Sequence, residues 1–180
     1  MAAKEEHSEE FLILLSAERF WQSGIIVNME FNKTMNGQLF PAQAMLGILA
    51  IELYLKVISQ IESGNFKRTH DLKPLFKNLT EESQKSIKSN YELKVREDVG
   101  LKQTAKAIEK ASGAKVKLDF FTQLNEMRHG FVEFRYQFEG NAKGIMAINH
   151  LRNALKNRID ELGNLNQKLV RHWANSAPPR

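Results

Sequence analysis

The chain has 180 residues, no cysteine and a formal net charge of +5. That length accommodates one domain with a sizeable core, while the missing thiols exclude a disulfide scaffold and any thiolate zinc site and fit a reducing compartment. The charge bias is mild, so it permits contact with nucleic acid without demanding it.

Apolar residues recur at helical spacing almost throughout, and no run alternates with the period of a strand, so the expectation is an all-α protein. The first helix is expected over residues 6–29, with Phe11, Leu12, Leu15, Phe20, Trp21, Ile25 and Ile26 on its buried side. Acidic residues stand at the N-terminus where an export signal carries basic ones, so no such signal is read there. A polar turn over 28–37 leads to a second helix from about Phe40, where Pro41 suits the first turn, to about Glu62, ended by Ser63-Gly64-Asn65. The stretch 34–51 is free of charge and approaches the length of a membrane span. Its internal Asn36, Gln38, Pro41 and Gln43, and the Glu52 and Lys56 that follow, favour a buried core helix and no membrane association.

Thr69 or Asp71 is placed to cap a short third helix with Leu72, Leu75, Phe76 and Leu79 facing inward, and Pro74 confined to its first turn. Thr80 followed by Glu81-Glu82 reads as another cap with acids on the positive end of the macrodipole, opening a polar helix or helical loop to about Val95. Residues 101–111 are basic and weakly amphipathic. Asp119 then opens a helix reaching Glu139, closed by Gly140-Asn141, and a long last helix is expected over about 142–173, with 174–180 a frayed tail. No repeat or low-complexity segment divides the chain. The sum is a single up-and-down bundle of five or six helices with short connections.

Phosphate-binding glycine loops, His-Glu-x-x-His, calcium loops and nucleophile elbows are all absent. One Glu-x-x-His pair occurs, Glu126 with His129, without the second pair that a bundle metal site requires. Neither a metal nor a cofactor is expected. Chemistry concentrates in Phe120-Phe121-Thr122 onward to Glu139, where Phe120, Leu124, Met127, Phe131, Phe134 and Phe138 form a buried stripe beside Arg128 and Arg135. The two arginines either anchor internal carboxylates such as Glu52 or offer planar donors to a phosphate. His129 is one step round the helix and suits acid, base or phosphate-donor chemistry near neutral pH, although a lone histidine more often does none of these.

Glu52 and Lys56 are one turn apart in the favourable order for an ion pair, with apolar Leu53, Leu55, Val57 and Ile58 around them. A carboxylate so placed requires a partner. His70 and Asp71 either join that network or, more simply, cap the third helix. Lys102, Lys106, Lys110, Lys115 and Lys117 against a lone Glu109 over 101–118 make either a solvated face or a phosphate-binding one. The C-terminal stretch is similarly basic.

Three blocks, Ala50-Ile51-Glu52-Leu53-Tyr54-Leu55-Lys56, then His70-Asp71-Leu72 with Leu75-Phe76 and Leu79, then Phe131-Val132-Glu133-Phe134-Arg135-Tyr136, resemble the HEPN family over roughly residues 39–139. The resemblance implies a helical bundle, frequent homodimers, and work in prokaryotic defence, stress or toxin-antitoxin systems in the cytoplasm, often on RNA or nucleotides and sometimes with an antitoxin as protein partner. Many members are metal-independent ribonucleases that use an arginine and a later histidine with four to six residues between the two. Here Arg128-His129 resembles the start of that motif, but Glu133, Phe134 and Arg135 occupy the positions of the second histidine. The expectation is therefore a non-cleaving HEPN-like protein that binds RNA, nucleotide or a protein partner, with Arg128, Arg135, His129, Lys102 and Lys106 as ligand contacts and Glu52, Lys56, His70, Asp71 and Glu133 as a structural polar network. The alternatives are a ribonuclease toxin using Arg128 and His129, and a protein-interaction scaffold anchored by Trp21, Trp173 or the apolar residues 11–15.

Overall fold

In the computed structural model residues 8–37, 39–133 and 147–176 are described, with 129–133, 175 and 176 described by backbone alone. The described residues form an all-α bundle: α1 Glu9–Thr34, α2 Leu39–Ser63, α3 Leu72–Lys77, α4 Glu81–Glu97, α5 Val99–Ser112, α6 Phe120–Glu133, α7 Ile148–Gly163 and α8 Leu165–Ser176. There are eight segments because the polar stretches after Thr80 and Asp98 are both full helices and the expected long C-terminal helix is divided. The division falls after Gly163, at Asn164, which takes the left-handed conformation (φ 55°) and caps α7 by donating its N–H to the Asp160 carbonyl. Residues 134–146, which include Arg135, Phe134, Phe138, Gly140 and Asn141, lie outside the described residues, as do 177–180 of the expected tail.

Caps read from the sequence do form. The Asp71 carboxylate accepts from Lys73 N–H at the start of α3, and the Thr80 hydroxyl accepts from Ser83 N–H at the start of α4. Asp98 performs the same service for α5, accepting from Leu101 N–H at 2.8 Å. The first helix runs five residues beyond its expected end, because Asn28, Glu30, Asn32 and Lys33 are all tolerated on or near an exposed face and no breaker precedes Met35, whose left-handed φ of 52° closes it.

The centre of the bundle is α2. Its Ile48, Ala50, Ile51, Tyr54, Leu55, Val57 and Ile58 are buried against α1, α7, α3 and α6. This helix is long and apolar enough to cross a membrane, but more than half of its most apolar stretch is already buried inside the protein. The core accounts for its hydrophobicity. Each fully buried Leu or Ile contributes about 1.5–3 kcal/mol. α7 packs against both α2 and α4, and α8 returns to α1, where Phe11 meets His172 edge-on.

The face of α1 differs from expectation. Phe11, Leu15 and Trp21 are buried as read, together with Leu14, Ala17, Glu18 and Gly24, whereas Leu12, Phe20, Ile25 and Ile26 are exposed. Apolar residues encircle α1, so periodicity leaves its orientation open. The choice follows the small residues Ala17 and Gly24, which permit close approach to α2, and Glu18, which must reach its partners. A Cβ on Gly24 would lie 3.5 Å from Leu46 Cβ.

Glu18 is 1% exposed and ties three helices together. Its carboxylate accepts from Tyr54 OH on α2 at 2.9 Å, and from Lys156 Nζ at 2.5 Å and Arg152 NH2 at 3.0 Å on α7. Burial pushes this carboxyl up, but the Lys156 hydrogen bond and charge, with Arg152 and Tyr54, outweigh it and hold it below its ordinary value. A second buried tie joins α4 to α7. Arg158 donates to Ser83 Oγ at 2.6 Å and pairs with Glu82 at 3.0 Å and Glu161 at 2.9 Å, while Ser83 also donates to Glu62 on α2.

Glu18→Gln removes the anion from between two cations that are partly solvated. It is expected to cost about 3 kcal/mol in urea unfolding, the lower end of the range for breaking a buried pair. Because the folded-state pKa lies below the ordinary 4.5, the contribution is complete above that pH and is lost as pH falls through the folded value. Wild-type stability therefore drops on acidification below about pH 4.5, and Glu18→Gln flattens that drop.

Candidate functional site

The residues singled out in the sequence gather where α2, the loop after it, α3 and α6 meet. Glu52 points from α2 into the core, with its side chain 4% exposed. Lys56, one turn on, donates to it at 2.6 Å, and His70 Nδ1 approaches its two oxygens at 3.2 and 3.0 Å. Lys56 also lies 5.5 Å above the Phe66 ring. A buried carboxylate on α2 thus holds the loop between α2 and α3 through His70. His70 is not a cap for α3, as the simpler sequence reading had it; only Asp71 caps. The histidine instead reaches back to Glu52 while its side chain remains 72% exposed.

Asp71 does two jobs. One oxygen caps α3, and the other accepts from Arg128 Nε at 2.9 Å. This bond joins α3 to α6 and orients the guanidinium, whose side chain is still 39% exposed. Among the described residues Arg128 therefore anchors no internal carboxylate. Glu52 is satisfied by Lys56 and His70, and Arg128 takes the surface partner.

On α6, Phe120, Leu124 and Met127 face the core as the stripe predicts. The flanking face carries Phe121, Asn125 and Arg128 at i, i+4 and i+7, all exposed. Phe121 is 51% exposed, yet its ring is held edge-on by Phe76 at 6.2 Å and by Phe120 at 5.3 Å, with Lys88 Nζ 5.3 Å over it. Lys73 on α3 faces Phe121 and Asn125 across a groove of about 350 Å³. Lys67 and Arg68 on the loop before α3, and Lys73 and Lys77 on α3, are exposed. The result is a row of cations along α3 beside a rigid aromatic ring, with Asp71 the carboxylate that orders the arginine. Phe121 was legible from its spacing to Arg128, but the buried Phe120 stripe draws attention away from it.

Other expected contacts are placed elsewhere or not described. Lys102 donates to the Arg96 carbonyl at 2.6 Å, bracing the corner between α4 and α5, and Lys106 is exposed on α5. Among the described residues neither lysine is hydrogen-bonded or ion-paired with Arg128. The side chains of His129 and Glu133, and all of Arg135, lie outside the described residues. Among the described residues no cluster of three metal-ligating side chains forms. No family model, curated protein or solved structure matches the chain.

Glu52→Ala strands the nearly buried Lys56 ammonium and releases His70, so it is expected to destabilise the protein by about 3–5 kcal/mol. Asp71→Ala removes a cap and a surface pair and costs about 1–2 kcal/mol. Urea unfolding of the two variants should show the former as much the larger loss; equal, small effects would mean Glu52 is not the anchor.

Proposed function

We propose that this is a HEPN-like binding protein that holds single-stranded RNA along the surface between α3 and α6 and does not cleave it. The observation that carries this reading is the exposed row Phe121, Asn125 and Arg128 on α6, with Lys73 across the groove from Phe121 and Asn125 and with Arg128 oriented by Asp71. Phosphates pair with cations regardless of sequence, and a fixed aromatic face accepts any base, stacking being worth about 1–3 kcal/mol per base. Asn125 lies between them with donor and acceptor groups for a base edge. The reading extends to the homodimer and the prokaryotic defence, stress or toxin-antitoxin setting that the family resemblance implies, with an antitoxin as the protein partner that would cover the same surface.

A specific observation favours a second reading, metal-independent RNA cleavage. Cleavage needs a group to take the 2′-hydroxyl proton and a cation to stabilise the phosphorane. His70, oriented by the buried Glu52 and adjacent in sequence to the aspartate that holds Arg128, would supply an imidazole that the Arg128-His129 motif lacks at its second position.

Fluorescence anisotropy with a labelled single-stranded RNA, with EDTA present, tests both. Binding is expected with a slope of log K against log salt of about −2 to −3.5, corresponding to three to five phosphate contacts. Phe121→Ala should weaken it about tenfold with the slope unchanged. Arg128→Ala should weaken it and make the slope shallower by about 0.7. Intact RNA on a gel after incubation supports binding alone; cleavage abolished by both Arg128→Ala and His70→Ala establishes the second reading. No salt-dependent binding and no cleavage would contradict both.

A further inference from the structure

A second cavity opens on a different part of the protein, between α1, α2 and the first turns of α7, and shares no residue with the surface just described. Its volume is about 440 Å³. Gly47 brings α2 so close to α7 that a Cβ there would lie 2.7 Å from Ile148 Cδ1. Toward the ends of α1 and α2 the lining is Ile25, Phe40 and Ala44, with Trp21 deeper, and four amide side chains, Asn28, Gln43, Asn149 and Asn153, stand around it.

Among the described residues the cavity has one charged lining residue, Arg152. Its guanidinium carbon lies 4.7 Å over the Trp21 ring, its Nε donates to Tyr54 and its NH2 to Glu18. Among the described residues nothing accepts from its NH1. Glu18 is shared with Lys156, so the local group of one anion and two cations keeps a net positive charge. The cavity also adjoins the start of α7, where Ala147 provides no side-chain acceptor for the first turn. A fixed cation, an apolar wall and a ring of amides are the makings of a site for a small organic anion.

We propose that this cavity binds a small carboxylic acid with an apolar body, its carboxylate on Arg152 and its body against Phe40, Ile25 and Ile148. At the ~30 Å³ that a water-sized group occupies in a liquid, the cavity holds about 15 non-hydrogen atoms. That suits an aryl or branched-chain carboxylate and is too small for a whole nucleotide. Occupancy of this cavity is independent of the RNA reading, because neither Arg128 nor Phe121 touches it.

Hydrocinnamate and its neutral amide, hydrocinnamamide, are the probes. Trp173→Phe leaves Trp21, on the cavity wall, as the single tryptophan and the reporter. Hydrocinnamate is expected to change Trp21 emission saturably with a dissociation constant of about 1 mM or tighter, and the amide to bind about tenfold more weakly or worse. Ala44→Phe fills the cavity without touching the Glu18 group, so it should abolish the change while helical circular dichroism and the melting temperature are retained; Ala44→Leu is the smaller plug if Ala44→Phe fails to fold. No saturable change, equal binding of acid and amide, or full affinity in the folded plugged variant would each overturn the proposal. Arg128→Ala should leave hydrocinnamate binding unchanged, which separates this result from the fate of the RNA reading.

Discussion

A helix buried on nearly all sides can keep polar groups only if its neighbours come to meet them, and α2 is such a helix. Tyr54, Glu52, Lys56 and Ser59 are all buried on it. Unpaired, each would cost from about 1 kcal/mol for a hydroxyl to several for a charge. Pairing them determines much of the architecture. Tyr54 draws Glu18 of α1 and Arg152 of α7 to one point, Ser59 donates to the Asn65 carbonyl beyond the end of α2 and accepts from Asn78 at the end of α3, and Glu52 pulls His70 back across the loop. The apolar contacts supply most of the driving force, but they are non-directional. The polar pairs choose the register.

The surface chemistry inherits that register. Because His70 is fixed to Glu52, Asp71 follows at the position where it caps α3 and reaches Arg128, and Arg128 in turn lies in line with Phe121 and Asn125. A buried charge on α2 is thereby linked through two consecutive residues to an ordered, exposed arginine on α6. A guanidinium fixed before a ligand arrives loses less side-chain entropy on binding, which favours a site built on packed helices over one on loops.

Local interactions were the part of this fold legible in the sequence. Asp71 and Thr80 announce their caps, Glu52 and Lys56 announce an i,i+4 pair, and the Phe120-Leu124-Met127 spacing announces a buried stripe. What could not be read depends on which distant surfaces meet. Leu12 and Ile26 look as suitable for the core as Leu14 and Trp21, and only packing against α2 separates them. Glu18 looks like an ordinary surface glutamate, since its partners Arg152 and Lys156 are more than 130 residues away. Asn164 does not advertise a left-handed residue until the chain must turn. At the site, the pairing of Arg128 with Asp71 in preference to Glu52, and of His70 with Glu52 in preference to a cap, are both tertiary choices between chemically equivalent options.

The most direct test of the claim that Glu52 holds the corner between α2 and α3 through His70 is a double-mutant cycle in urea unfolding with Glu52→Gln, His70→Ala and the two together. Coupling of about 1–3 kcal/mol, with the double variant losing less than the sum of the singles, is the result this account predicts. Strictly additive losses would contradict it, because the two side chains would then not be sharing one interaction.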